Sequence, residues 1–182
     1  MRSQEAVEDG SANPRSSFAA HLTATFKEMA MNDIIQKLKT PDECMQLAKN
    51  VRDRNPELAQ KARRRAVELR AISYKSTSEV ELELLKALYA YEEVLSDKNK
   101  RKTSASRTWQ MIKRHGLIHA AERAVDRKIE PAGYKVLVEM GMQDLTFEAV
   151  IVRYPESFNA DVVSRAKERL RKLSELKASK RD

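Results

Sequence analysis

The residues of this chain that could do chemistry are concentrated in one stretch, from Lys98 to Lys128. The stretch contains ten basic residues and two acidic residues, so its net charge of +8 equals the formal net charge of the whole chain. Subtracting these residues from the 35 basic and 27 acidic residues of the chain leaves 25 of each sign elsewhere. A charge excess confined to one segment indicates a binding surface for a polyanion.

The side chains of this stretch suit phosphate groups. Cations and hydroxyls donate hydrogen bonds to phosphate oxygens. The start of a helix adds free backbone N–H groups, and Thr103 or Ser104 is the predicted cap of the helix that begins here. We therefore predict non-catalytic binding of nucleic acid, DNA before RNA, because the chain has few aromatic residues for single-strand stacking. The predicted contact residues are Lys98, Lys100, Arg101, Lys102, Arg107, Trp109, Lys113, Arg114, Arg123 and Arg127.

The same residues have a simpler interpretation. A run of cations is often only a solvated charged loop, and the one tryptophan, Trp109, is flanked by Met111 and Ile112 and fits a core or edge position. Two other functions also fit. One is a helical adaptor or assembly module that binds an acidic partner. The other is a small metal-dependent nuclease whose acids converge beside the basic stretch.

Gly116 divides the stretch into two short helices. A glycine is typical of the left-handed position that ends a helix, and an apolar residue, Leu117, follows it. This pattern predicts a helix-turn-helix-like corner, with Arg123 and Arg127 pointing outward from the second helix. An ordinary helical corner is the alternative, because the turn is short.

Catalytic motifs are missing from the sequence. It has no P-loop, dinucleotide fingerprint or GxSxG motif. Cys44 lies on an apolar helical stripe and is predicted to be a small core residue. His115 and His119 have metal-ligand spacing, but Gly116 interrupts the helix between them. We therefore predict no catalytic residue, no cofactor and no metal ion. For the nuclease alternative, the acids nearest the basic stretch are Glu92, Glu93 and Asp97.

The elements that position the basic stretch are predicted to be helices. The chain has only four glycines and five prolines, which favours helix over sheet. Helix starts are predicted at Thr40, at Asn55 and at Ser76 or Ser78, from residues that cap helices. We expect an all-α domain of about seven to nine helices. Its central helix, residues 79–95, is apolar on two faces and should be buried on two sides, with Leu84, Leu88 and Tyr91 almost fully buried.

The remaining predictions concern boundaries and partners. Residues 1–15 are predicted to be a disordered tail, 16–178 an all-helical domain and 179–182 a frayed end. The apolar pieces within 134–154 suit two short helices or a hairpin, and we favour the helices, with Asp144 as a cap.

The last helix carries an apolar stripe that can dock on the core or pair two chains as a homodimer. This stripe comprises Val163, Ala166, Leu170 and Leu173. No secretory signal or membrane-spanning run is present, so we expect a cytoplasmic protein with no membrane partner.

Overall fold

The computed structural model describes the backbone of residues 14–127 and 131–178, and the side chains of residues 25–127 and 133–175. Within these residues the chain is all-helical, with eight α-helices, as predicted. It forms two units, residues 1–37 and 38–182. The helices are α1 Pro14–Lys37, α2 Pro41–Val51, α3 Pro56–Ser73, α4 Glu79–Asn99, α5 Ser106–Val125, α6 Pro131–Glu139, α7 Phe147–Arg153 and α8 Ala160–Ala178, with a 3₁₀ turn at Pro155–Ser157.

The first unit contains α1 alone. The predicted disordered tail falls largely on residues 1–13, and the predicted frayed end falls on residues 179–182. Both lie outside the described residues, so these boundaries stay predictions. No helix in the described part of the chain combines the length and the apolar character needed to cross a membrane.

Helix starts in the second unit follow local side-chain chemistry. Thr40 caps α2 in a full capping box with Glu43, and the Asn55 side chain accepts the Leu58 N–H at the start of α3. At α4 the alternative register is the one observed, because Ser78 accepts the Glu81 N–H at 3.2 Å. These contacts satisfy backbone donors that have no partner inside a helix.

α4 is the central helix, as predicted. Leu84, Leu85 and Leu88 are 0% exposed, and the helix contacts α3, α5, α6 and α7. Tyr91 was also expected to be buried, and that prediction was wrong, since it is 41% exposed. The helix also runs past the predicted end, to Asn99, and stops at Lys100 in the left-handed conformation, with φ of 52°. Lys98 is therefore helical, although it lies beyond the predicted end of the helix at residue 95.

Two buried clusters hold the second unit together. The larger one gathers side chains of α4, α5, α7 and α8, and the smaller one joins α4 to α6 and the segment after it. Cys44 is fully buried, as predicted, and burial raises the pKa of its thiol. The stripe of α8 belongs to the core of its own chain, because Val163, Ala166 and Leu173 are each at most 8% exposed.

The segment 134–154 is helical, which confirms the preferred interpretation over the hairpin. α6 and α7 are joined by a turn in which Gly141 has a positive φ of 67°. The cap of α7 is Thr146, whose hydroxyl accepts the Ala149 N–H, and not Asp144. Asp144 instead binds Arg64 of α3, at distances of 2.5 and 3.0 Å.

Candidate nucleic-acid interface

The nine predicted cationic contact residues are all solvent-exposed. Lys98 lies in the last turn of α4, and the next three cations lie at and after its end. Three more lie on the first half of α5, and two follow Gly116. They are Lys98, Lys100, Arg101, Lys102, Arg107, Lys113, Arg114, Arg123 and Arg127. The tenth cation of the stretch, Lys128, lies outside the described residues.

A carboxylate, not a serine or threonine, organises the start of α5. The predicted caps Thr103 and Ser104 are wrong, because the cap residue is Ala105 and it makes no side-chain cap. One oxygen of Glu92 accepts three hydrogen bonds of 2.8 Å. The donors are the Ser104 hydroxyl, the Ala105 N–H and the Trp109 indole N–H. The charge that suits a helix N-terminus is thus supplied from within the chain, by α4.

Trp109 is tied into the protein by the same carboxylate and by two tyrosines. Its ring centroid lies 5.3 Å from that of Tyr74 and 5.7 Å from that of Tyr89, and its side chain is partly buried. Such tilted aromatic pairs stabilise packing beyond the area they bury. This geometry is that of an edge residue of the core, and stacking of Trp109 on a base stays a prediction.

The first half of α5 presents a basic face to solvent. Thr108, Met111 and Ile112 are buried, whereas Arg107, Lys113 and Arg114 are exposed. These two arginines are seven residues apart, which places them on one line about 10 Å apart along the helix. The loop at residues 100–102 and the exposed face of α5 thus present cations from consecutive parts of the chain.

The predicted corner at Gly116 is present. Gly116 has φ of 79° and ψ of 169°, which is non-helical backbone in the region that glycine adopts without strain. Across the corner, Arg123 Nη1 lies 3.1 Å from His115 Nε2, and Arg127 Nη2 lies 3.8 Å from the Met111 sulfur. One non-helical residue makes this corner tighter than the three- or four-residue turn of a helix-turn-helix.

The acids of the stretch do not neutralise its cations. Glu122 accepts hydrogen bonds of 3.1 and 2.8 Å from the backbone and side chain of Asn159, and Asp126 pairs with Arg165 at 3.2 Å. Both acids therefore contact α8 or the residue that precedes it. Lys100 has a long ion pair of 3.4 Å with Asp97. Within the described residues, no carboxylate pairs with Arg101, Lys102, Arg107, Lys113 or Arg114.

Several arginines elsewhere in the second unit are paired with acids, although none of the described carboxylates pairs with Arg52, Arg54 or Arg63. Arg70 pairs with buried Glu93 at 2.6 Å, and Arg153 pairs with Glu83 at 2.6 Å. On α3, the neighbouring Arg64 and Arg65 pair with Asp144 and Glu68. Arg64 and Arg65 of α3 are thus matched by acids, whereas the cations from Arg101 to Arg114 are not.

The acids considered for a nuclease do not converge. Glu93 is 6% exposed and turned to Arg70, while Glu92 holds the loop before α5. Among the described side chains, no three His, Cys, Asp or Glu residues are grouped to hold a metal ion. No family model, curated protein or solved structure matches this chain.

Sequence reasoning named Glu92 only as an acid for the nuclease alternative and missed its role at the start of α5. Its three donors lie 12 to 17 residues away along the chain, and no helical spacing links them. One sequence signal points to such an acceptor, because Trp109 follows a polar loop and fits the edge of the core. An indole N–H that is removed from water requires a hydrogen-bond acceptor.

Proposed function

We propose that this chain binds nucleic acid without catalysis, DNA before RNA, through the exposed cations between residues 98 and 127. The observation that carries the proposal is the clustering of exposed cations without carboxylate partners in one segment. The five exposed cations from Arg101 to Arg114 have no carboxylate partner among the described residues, while Arg64, Arg153 and Arg169 are paired. Unpaired cations lose no internal ion pair when they approach a phosphate.

The physical basis is the release of counterions. Duplex DNA carries a dense row of phosphates with condensed counterions, and each phosphate contact releases part of that layer. The loop at 100–102 and the α5 face supply such contacts without reading bases. Arg123 and Arg127 contribute sequence preference only if the second half of α5 enters a groove.

Glu92 supports the proposal by fixing the loop. Its hydrogen bonds to Ser104, Ala105 and Trp109 join the loop to α4 and to the aromatic rings of Tyr74 and Tyr89 that pack on Trp109. A loop that is already ordered loses less conformational freedom when it binds. The cations just before it are then presented in one arrangement.

Salt dependence tests the proposal. If Lys100, Arg101, Lys102, Arg107, Lys113 and Arg114 each contact a phosphate, the log of the affinity for duplex DNA should fall with the log of the salt concentration at a slope of about −5. Changing Lys100, Arg101 and Lys102 together to alanine should make the slope shallower by about 3 and weaken all sequences alike.

A matched triple variant controls for net charge. Lys167, Arg171 and Lys172 are exposed on α8, and the last two pair with acids there. Their change to alanine removes the same three charges and should leave the slope unchanged. If the unaltered protein binds neither duplex DNA nor RNA at low salt, the proposal is wrong, and the adaptor for an acidic protein partner takes its place.

The homodimer and the cytoplasmic location remain proposals as well. The α8 stripe is buried within the chain, so a dimer would have to use another face of the helix or displace the helix from the core. Sedimentation of the full chain over a range of concentrations tests the first proposal. Fluorescence of a tagged chain in cells tests the second.

A further inference from the structure

A cavity of about 550 Å³ lies among α4, α5, α6, α7 and α8. Its wall is largely apolar and takes residues from both core clusters, among them Ala87 of the larger cluster and Val94 and Leu137 of the smaller. Its volume is in the range of small-molecule sites, roughly 300–1,000 Å³. The cavity explains why Tyr91, on an apolar stripe of the central helix, is exposed, because Tyr91 lines it.

Among the described residues that line the cavity, three are cationic and one is acidic. Lys98, Arg127 and Arg169 line it, and Glu148 is the one acid among its lining residues in the described part of the chain. Glu148 pairs with Arg169 at 3.1 Å, with both side chains mostly buried.

Arg127 is the cation best placed to bind a ligand. Its backbone carbonyl accepts a hydrogen bond from Arg169, which fixes the chain at this wall. Its guanidinium contacts the Met111 sulfur at 3.8 Å, and no carboxylate of the described residues pairs with it. A guanidinium has five donors in a planar fork that matches a carboxylate.

We propose that this cavity binds a small amphipathic carboxylate, with its apolar body against the wall and its head on Arg127. A neutral apolar molecule would leave the Arg127 guanidinium without a charged partner. An inorganic anion would leave the apolar wall uncovered. The combination of one anionic head and one apolar body satisfies both parts of the lining.

Calorimetric titration of the full chain tests the site. The probes are decanoate, the neutral decan-1-ol and inorganic phosphate. Decanoate should bind with one site per chain, and decan-1-ol and phosphate should bind more weakly or not measurably. Arg127→Gln should weaken decanoate binding by about tenfold to a hundredfold, since hydrogen bonds to charged groups contribute about 1.5–3 kcal/mol.

Two further variants separate the cavity from general charge. Arg114→Gln removes the same charge from an exposed position on α5 and should leave decanoate binding unchanged. Ala124→Phe places a ring in the wall and should abolish binding, with thermal melting to check that the variant folds. The proposal is overturned if decanoate does not bind, if decan-1-ol binds equally well, or if the two arginine variants are equivalent. None of these outcomes depends on nucleic-acid binding.

Discussion

Glu92 acts where a helix cap was expected. Replacing it by alanine leaves the Ala105 and Trp109 N–H groups without their acceptor, since both donate to it at 2.8 Å. A buried donor left unsatisfied costs about 1–3 kcal/mol. We expect Glu92→Ala to lower the free energy of unfolding by that amount, measured by urea denaturation. An unchanged midpoint would show that the carboxylate does not hold the loop.

Glu92→Gln separates the charge from the hydrogen bonds. Glutamine keeps an oxygen acceptor and removes a negative charge beside the basic loop. We expect tighter binding of duplex DNA at low salt, because the carboxylate opposes phosphate at the helix start. Glu156→Gln, at an exposed position outside the stretch, is the control and should have no effect. Weaker binding by Glu92→Gln would mean that the carboxylate only orders the loop.

Asp144 makes the stability of the protein dependent on pH. Burial raises the pKa of its carboxyl, but the hydrogen bond and charge of Arg64 lower it by more, so the net shift is downward. Because the pKa of Asp144 is lower in the folded state, the ionised carboxylate stabilises the fold at pH values above its unfolded pKa of about 3.9. This stabilisation is lost as the pH falls through the pKa of the folded state.

The corresponding test uses two neighbouring arginines. Arg64→Gln should reduce the loss of unfolding free energy as the pH is lowered below about 4, because the pKa of Asp144 then rises toward its unfolded value. Arg65→Gln, which breaks the adjacent pair with Glu68, is the control. Urea denaturation at several pH values measures the effect. Equal acid sensitivity in the two variants would exclude this role for Asp144.

At the scale of elements, α4 is the helix around which the second unit packs. Leu88 is 0% exposed, and Leu88→Ala should lower the free energy of unfolding by about 2–5 kcal/mol, since a large apolar side chain and its contacts are removed. Ile72→Ala on α3 removes a similar side chain that is 57% exposed, and should cost much less. If both variants melt at the temperature of the unaltered protein, α4 does not have the central role described.

The last helix is the second element whose role is testable. Val163, Ala166 and Leu173 are buried within the chain, so α8 closes the core. Deleting residues 160 to 182 should therefore unfold the second unit, measured by circular dichroism and loss of a cooperative melt. A folded monomer after the deletion would instead support the homodimer through this helix.

At the scale of the whole molecule, the cavity and the basic surface share Lys98 and Arg127. If both proposals hold, decanoate should weaken DNA binding, and DNA should weaken decanoate binding by the same factor, because coupling between sites is reciprocal. Titration of DNA with and without decanoate measures the factor. Arg127→Gln should reduce the coupling. Independent binding of the two ligands would show that the shared residues do not couple them.

Several features of the fold followed from the sequence because their causes are local. Thr40 with Glu43 and Ser78 with Glu81 are three residues apart, so a capping contact is readable from spacing. The two apolar faces of α4 follow from a repeat of 3.6 residues, and they predicted the burial of Leu88. The excess of charge between residues 98 and 128 is likewise a property of the sequence itself.

What only the tertiary structure decided depends on residues far apart in the chain. Arg64 and Asp144 are 80 residues apart, and no periodicity links them. The fold also brings Glu92 to the start of α5, where this carboxylate accepts the Ala105 N–H although the sequence predicted a serine or threonine cap. Tyr91 follows the apolar stripe but borders a cavity, because a repeat specifies the face of a helix and not how neighbouring helices fill the space beside it.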